Sequence, residues 1–275
     1  MRTPIGLFDS GLGGLSVARE LMRRRPNDSL WVVGDTVHVP YGGRPLHEVH
    51  GFAMGLAEYL VGCGCRAVVM ACNISSAVAL EDARRTLPVP VFGMVDAGAR
   101  AAVTASSDPR YGVMATEGTV RSGAYTCALN ALRPNGSVLE VACPRFVPLV
   151  ESGLWDSPDA YAAAADCAAP LINAGIETVI LGCTHYPFLA DAIRAAFPYP
   201  IRLVDPACAV ALEMEHIVDF APASETPRHI FESTANPAAF ADAGSRLLQT
   251  PFQARHCAVW DHAETLAEPR VALSC

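Results

Sequence analysis

Two short stretches hold the residue types best suited to chemistry. VVMACNISSAVAL sets Cys72 just past one apolar run, and TVILGCTHYPFL sets Cys183 just past another. A cysteine beside an apolar strand is ordinarily a small buried hydrophobe. Here each one opens a polar turn into a helical pattern, where the helix dipole favours a thiolate. Cys183 is followed by Thr184 and His185, an arrangement used for nucleophilic acyl transfer. That chemistry needs one thiol and leaves the other idle. Two thiols facing each other across a cleft suit a different task, removing a proton from one face of a carbon and delivering one to the other.

A third chemistry-bearing stretch is FDSGLGGLSVARELMRR. Asp9 and Ser10 fall on a strand-to-helix turn, and Gly11, Gly13 and Gly14 let the backbone approach a ligand closely. Free N–H groups at such a turn can hold an anion. The spacing is G-x-G-G, neither the Walker pattern nor a full G-x-G-x-x-G. Capping of the helix by Asp9 or Ser10 accounts for it equally well.

The elements that must position these residues alternate in kind. Short apolar runs at 4–8, 30–34, 67–70, 89–93, 111–115, 137–142, 178–181 and 201–205 read as strands. Amphipathic segments at 14–24, 46–62, 76–85, 123–130, 160–174, 188–196 and 207–220 read as helices. Continuous apolar strands separated by helices predict doubly wound parallel sheets covered on both faces. Ligands in such sheets sit at the carboxyl ends of the strands, which is where both cysteines fall. The repeated strand, polar turn and helix predict two α/β domains related by a pseudo-twofold axis, facing each other across a cleft. Residues 251–275 show little pattern.

The 275 residues are half hydrophobic (51%) and sparsely charged (17%), with a net charge of −8. This acidity argues against a nucleic-acid partner, although a local pocket field can still hold a small anion. No apolar run is long enough to span a membrane. The start of the chain enters a strand pattern at once, leaving no room for a signal peptide. Ten cysteines scattered without framework spacing fit a reduced, cytoplasmic protein. Cys63 and Cys65 near Cys72 lack the partners a zinc site needs, so no metal is expected.

Together IGLFDSGLGGLSV, GDTVHVPYGGRP, ACNISS, ATEGTVRSGAY, VPLVESG and LGCTHYPFL resemble, in the same order, the motif set of cofactor-independent glutamate racemases. The resemblance runs from residue 5 to about residue 250. It implies a first domain of residues 1–96 and 208–275, a second of 97–207, and an amino-acid substrate buried between them. It also implies that Cys72 deprotonates the D enantiomer and Cys183 the L enantiomer. Asp9 would assist Cys72, while Glu151 and His185 assist Cys183. Ser10, Pro40, Tyr41, Gly42, Asn73, Thr116, Thr119 and Thr184 fall on positions that hold the substrate's polar groups. No cofactor is implied, the expected assembly is a homodimer, and the product would feed bacterial peptidoglycan.

Two positions depart from the pattern. Ile74 stands in the substrate-binding set where a threonine is usual, leaving Ser75 and Ser76 as the nearest hydroxyls; a backbone N–H contact would survive the exchange. Asp96 and Ala97 replace a usual Glu-Pro at what reads as the interdomain joint. Competing readings are a racemase for another acidic or modified amino acid, a one-thiol lyase or decarboxylase, and a regulatory protein of the gyrase-binding type. Both thiols with all their acid/base partners favour the two-base racemase.

Overall fold

The computed structural model describes residues 3–219 and 226–261. The chain begins β1 (Ile5–Asp9), α1 (Gly14–Arg24), β2 (Leu30–Gly34), α2 (Leu46–Gly62), β3 (Ala67–Met70), α3 (Asn73–Thr86) and β4 (Val91–Gly93). It crosses through α4 (Met94–Ala105) to β5 (Arg110–Ala115), α5 (Glu117–Ser122), α6 (Ala124–Leu132), β6 (Ser137–Ala142), α7 (Phe146–Glu151) and α8 (Pro158–Asn173). Then come β7 (Thr178–Gly182), α9 (Ala190–Ala196) and β8 (Arg202–Val204). It returns through α10 (Pro206–Ile217) to β9 (Ile230–Ser233), α11 (Pro237–Leu248) and β10 (Arg255–His256).

Every strand pairing is parallel, in two sheets ordered β10-β9-β2-β1-β3-β4 and β6-β5-β7-β8. The order β2-β1-β3-β4 is repeated by β6-β5-β7-β8, so β3 and β7, the two strands before the cysteines, hold equivalent places. The weak internal repeat of the sequence is thus a repeat of topology.

Alternation along each strand loads both faces of each sheet. Ile5 and Leu7 of β1 pack with Leu15, Leu21, Val210 and Met214 from α1 and α10. Phe8 points the other way, onto Ala53, Leu56 and Leu60 of α2. In the second sheet Val113 faces Ala99 of α4 and Tyr125 of α6, while Met114 faces Ala164 and Leu171 of α8. Two-sided burial is why these strands read as unbroken apolar runs.

Several boundaries moved for physical reasons. The helix expected from residue 76 begins at Asn73, because Cys72 takes an extended backbone and is itself the N-cap residue. The segment expected to be helical over 188–196 opens with a 3-10 turn at Tyr186–Leu189, with Pro187 in its first turn, before α9. The helix after Asp205 has Pro206 in its first turn, where the missing N–H costs nothing, and Asp205 accepts from Ala207 N at 2.9 Å. The expected end of that helix, Phe220, lies outside the described residues. Residues 251–261 do have structure, β10 and a 3-10 turn at Ala258–Trp260; 262–275 lie outside the described residues. The joint read at residues 93–102 is helical: α4 packs against α10, and a Cβ on Gly98 would meet Pro206 Cγ at 3.0 Å.

One buried carboxyl fixes the loop that follows β2. Asp35, wholly buried, accepts from Tyr41 Oη, from Thr234 Oγ1 at 2.9 Å and from Trp260 Nε1 at 2.8 Å; His38 Nδ1 lies 2.9 Å away. His38 also stacks on Phe52 at 3.9 Å between centroids. The stretch Val39–Pro40–Tyr41–Gly42 is therefore anchored from beneath by three separate parts of the chain. Removing the acceptor leaves several buried donors unpaired, at about 1–3 kcal/mol each. Asp35→Ala is expected to lower the unfolding free energy by about 3 kcal/mol or more, measured by urea unfolding; a loss within error of zero would show that the donors find other partners.

Candidate active site

In each sheet the connections diverge on either side of the central strand, opening a crevice at its carboxyl end. At the first crevice β1 delivers Asp9 and Ser10, and β3 delivers Cys72. At the second, β5 delivers Thr116, and β7 delivers Cys183. The two crevices open into one cleft of about 560 Å³. Every site residue expected from the sequence lines this cleft except Asp9, which lies just beneath the wall. Asp9 Oδ1 accepts from Gly11 N and Ser10 Oγ, each at 3.1 Å, and Oδ2 accepts from Thr184 Oγ1 at 3.0 Å.

The cap of α1 is Gly13, with no side-chain cap bond, so neither Asp9 nor Ser10 caps the helix as one reading of the sequence had it. A Cβ on Gly13 would lie 2.1 Å from Thr184 Oγ1 and 2.6 Å from His185 Nδ1. Ser16 Oγ, one turn along α1, donates to Thr184 O at 3.0 Å. The start of α1 is thus covered by the Cys183 turn. Glycine is needed there for close approach of protein to protein, and Asp9 holds the turn by accepting from Gly11 N.

The electrostatics of the two thiols differ. Cys72 is buried, and burial pushes its thiol up to about 12, reinforced by the charge of Asp9; the N–H and hydroxyl of Ser75 pull the other way. The Cys72 thiol points to Ser10 Oγ at 3.9 Å. The helix start therefore softens the cost of ionising Cys72 without overcoming burial. Asp9 is itself raised by burial, opposed by the charge of His185 and by its hydrogen bonds.

Beside Cys183, His185 Nδ1 lies 3.7 Å from the sulfur, and Nε2 lies 3.3 Å from Glu151 Oε1. Burial alone would lower the His185 pKa. Its interactions with Cys183 and Glu151 and the charge of Asp9 outweigh burial and raise it to about 10. The imidazole thus stands between the Cys183 sulfur and the Glu151 carboxyl.

A polar wall completes the cleft. Tyr125 Oη donates to Asn73 Oδ1 at 2.7 Å, which fixes the amide; Asn73 Nδ2 is buried without a partner among the described residues. An orphaned donor in a cleft wall calls for a ligand acceptor such as a carboxylate. Across from it, Thr116 caps α5 and its Oγ1 lies 3.0 Å from Thr119 Oγ1. Tyr41 stays a neutral phenol, since burial and Asp35 both raise its pKa well above the ordinary value. Ile74 is buried beside Tyr41, Val49 and Cys72, and its Cδ1 would sit 2.3 Å from a Cβ on Gly118. Its side chain fills the seam between α3 and α5.

Sequence reasoning missed Glu117, Cys143, Pro144, Val147 and Pro148, which also line the cleft. Glu117 lies on α5, Cys143 and Pro144 on the approach to α7, and Val147 and Pro148 on α7 itself; neither helix was expected. Cys143 looked like any other apolar-context cysteine; its place after β6 was the available signal.

Residues 16–214 match the Asp/Glu/Hydantoin racemase family, and the chain belongs to it. A curated glutamate racemase from Exiguobacterium sibiricum is 39% identical over 259 residues, 93% of this chain and 96% of its own. The structure of a glutamate racemase isoform from Bacillus anthracis superposes with a TM-score of 0.89 at 33% identity, covering 93% of this chain and 97% of that one. That of the Francisella tularensis glutamate racemase in complex with D-glutamate gives 0.87 at 28% identity, covering 94% and 99%. The chain is an amino-acid racemase in fold and in family.

A pH dependence follows from His185. Its pKa is raised from 6.5 to about 10, so the stability it contributes is complete below about pH 6.5 and is lost as pH rises through about 10. The melting-temperature difference between the parent protein and His185→Gln is expected to shrink across that window; a difference independent of pH would show that the imidazole is not charged in the folded state.

Proposed function

We propose that this chain interconverts the enantiomers of glutamate by cofactor-free proton transfer between Cys72 and Cys183. The observation that carries the reading is the occurrence of two thiols at equivalent strand ends of a repeated topology, both on one cleft. They are near enough for the charge of Cys183 to raise the pKa of Cys72. The glutamate racemases that resemble the chain over nearly its whole length, one of them holding D-glutamate, support the choice of substrate.

In the D-to-L direction the Cys72 thiolate takes the α-proton, and the C–H electron pair remains on the carbon. The Cys183 thiol then delivers a proton to the opposite face, leaving Cys72 as thiol and Cys183 as thiolate. The reverse direction exchanges the roles. Asp9 acts behind Cys72, while His185 and Glu151 hold and return the proton at Cys183. Asn73, Thr116 and Thr119 receive the α-carboxylate, where donors can stabilise the charge that develops as the proton leaves. The substrate ammonium enters a cleft whose ionisable wall carries Glu117 and Glu151 against one histidine. Its charge favours ionisation of the thiol that burial disfavours. All 20 basic residues counted as lysine plus arginine are arginines. The chain thus lacks the lysine amine by which pyridoxal enzymes hold their cofactor.

The same reading divides the chain into residues 1–96 with 208–275 and residues 97–207, supported by the crossings at α4 and α10. It places the enzyme in the cytoplasm, supported by nine unpaired cysteines among the described residues. No described helix is long and apolar enough to cross a membrane. The product would supply D-glutamate to peptidoglycan. The expected assembly is a homodimer, and sedimentation at a monomer's rate would refute it.

In deuterated water, the purified protein without added cofactor is expected to exchange the α-proton of either glutamate enantiomer. Enantiomers have equal free energy, so kcat/KM must be the same from both sides. Cys72→Ala and Cys183→Ala should each lower racemisation by at least about 100-fold. Exchange with another amino acid but not glutamate would overturn the substrate, and full activity in either variant would overturn the two-base scheme.

A further inference from the structure

We propose that the Ser75 hydroxyl donates a hydrogen bond to the Cys72 sulfur when that thiol ionises, making Ser75 a further catalytic residue of the first half-site. The inference deepens the proposed racemase reading and rests on it for the role of Cys72 as a base.

The placement follows from how α3 begins. Cys72 is the N-cap residue, with φ −67° and ψ 123°, and α3 starts at Asn73. Ser75 is therefore the third helical residue. In this arrangement the N-cap side chain faces the N–H of the third residue, whose side chain in turn reaches back toward the cap. Cysteine is an unusual cap, since a thiol accepts weakly, but a thiolate accepts well. The neighbourhood that suits a cap at this position suits an ionised sulfur better than a neutral one.

Ser75 is wholly buried, and its Oγ has no hydrogen-bond partner among the described residues. Leaving a buried hydroxyl unpaired is costly, so the position calls for an acceptor that exists in only part of the cycle. The other hydroxyls nearby are engaged. Ser76 Oγ accepts from Val95 N at 3.3 Å, and Ser10 Oγ donates to Asp9 at 3.1 Å. The neutral Cys72 thiol points its own donor at Ser10 Oγ, so Ser10 serves the protonated state. Ser75 serves the ionised one, and its N–H and hydroxyl both hold the thiol below where burial would push it.

This also accounts for the chain's departure at position 74. The resemblance calls for a threonine hydroxyl there, facing the substrate. In this chain residue 74 is apolar and packs into the α3–α5 seam, and the hydroxyl stands one residue on, in the first turn of the helix that Cys72 caps. A donor to the substrate has in effect become a donor to the base.

The test is the pH profile of Cys72 alkylation by iodoacetamide, followed by peptide mass spectrometry in the full chain carrying Cys183→Ala. Adding Ser75→Ala is expected to lower the alkylation rate of Cys72 about tenfold across pH 7–9, below its midpoint, and Ser75→Thr to leave it unchanged. In the otherwise native protein, Ser75→Ala should lower kcat/KM about tenfold, equally for both enantiomers, with Ser75→Thr recovering most of the rate. Coincident alkylation profiles for Ser75 and Ser75→Ala would overturn the inference, whatever happens to turnover. The alkylation readout needs no racemisation. Failure of the two-base scheme, read from Cys72→Ala, is thus separate from failure of the Ser75 contact.

Discussion

The hydrogen bond from Thr184 Oγ1 to Asp9 Oδ2, 3.0 Å long, is the contact on which the rest of the cleft depends. It joins the turn after β7 in one sheet to the end of β1 in the other. Closing it requires the turn at Gly13 to lie directly against Thr184 and His185, where no other side chain fits. With that contact made, the carboxylate behind Cys72 is held by the turn that carries Cys183. The two half-sites cannot be adjusted independently. Tyr125 and Asn73 repeat the arrangement on the far wall, again joining one half to the other through a buried hydrogen bond.

Burial of both thiols gives the proposed chemistry its strength and its difficulty. Burial makes a thiolate a strong base, and the same burial makes it costly to form. The molecule answers with several modest donors in place of a lysine or arginine. Cys72 sits at the start of α3, and Cys183 lies beside His185, which is backed by Glu151. None of these neutralises a thiolate permanently. That suits a reaction in which each sulfur must alternate between base and acid.

Much of this was legible in the chain because strand periodicity and the polar turns after strands are local properties. Unbroken apolar runs announced parallel sheets, and both cysteines sat where such sheets place ligands. What escaped were elements stabilised by partners remote in sequence. β9 and α11 pack against β2 and α1, and α5 and α7 are six-residue helices whose stability comes from packing rather than propensity. The start of α3 was read three residues late; Cys72, with its extended backbone, is the residue before the first helical turn.

The sequence by itself determined which chemical groups are available: two thiols after equivalent strands, their carboxylate and imidazole partners, and no lysine. It also determined the sheet type, since two-sided burial imposes its own pattern. Only the tertiary structure decided what those groups face. Gly13 lies against Thr184 and His185, Asp9 lies beneath the wall rather than on it, and Ser75, not Ser76, is the hydroxyl left without a partner among the described residues. These are questions of approach between segments far apart in the chain. Periodicity says which face a residue takes; what meets that face is set by packing distances of a few tenths of an ångström.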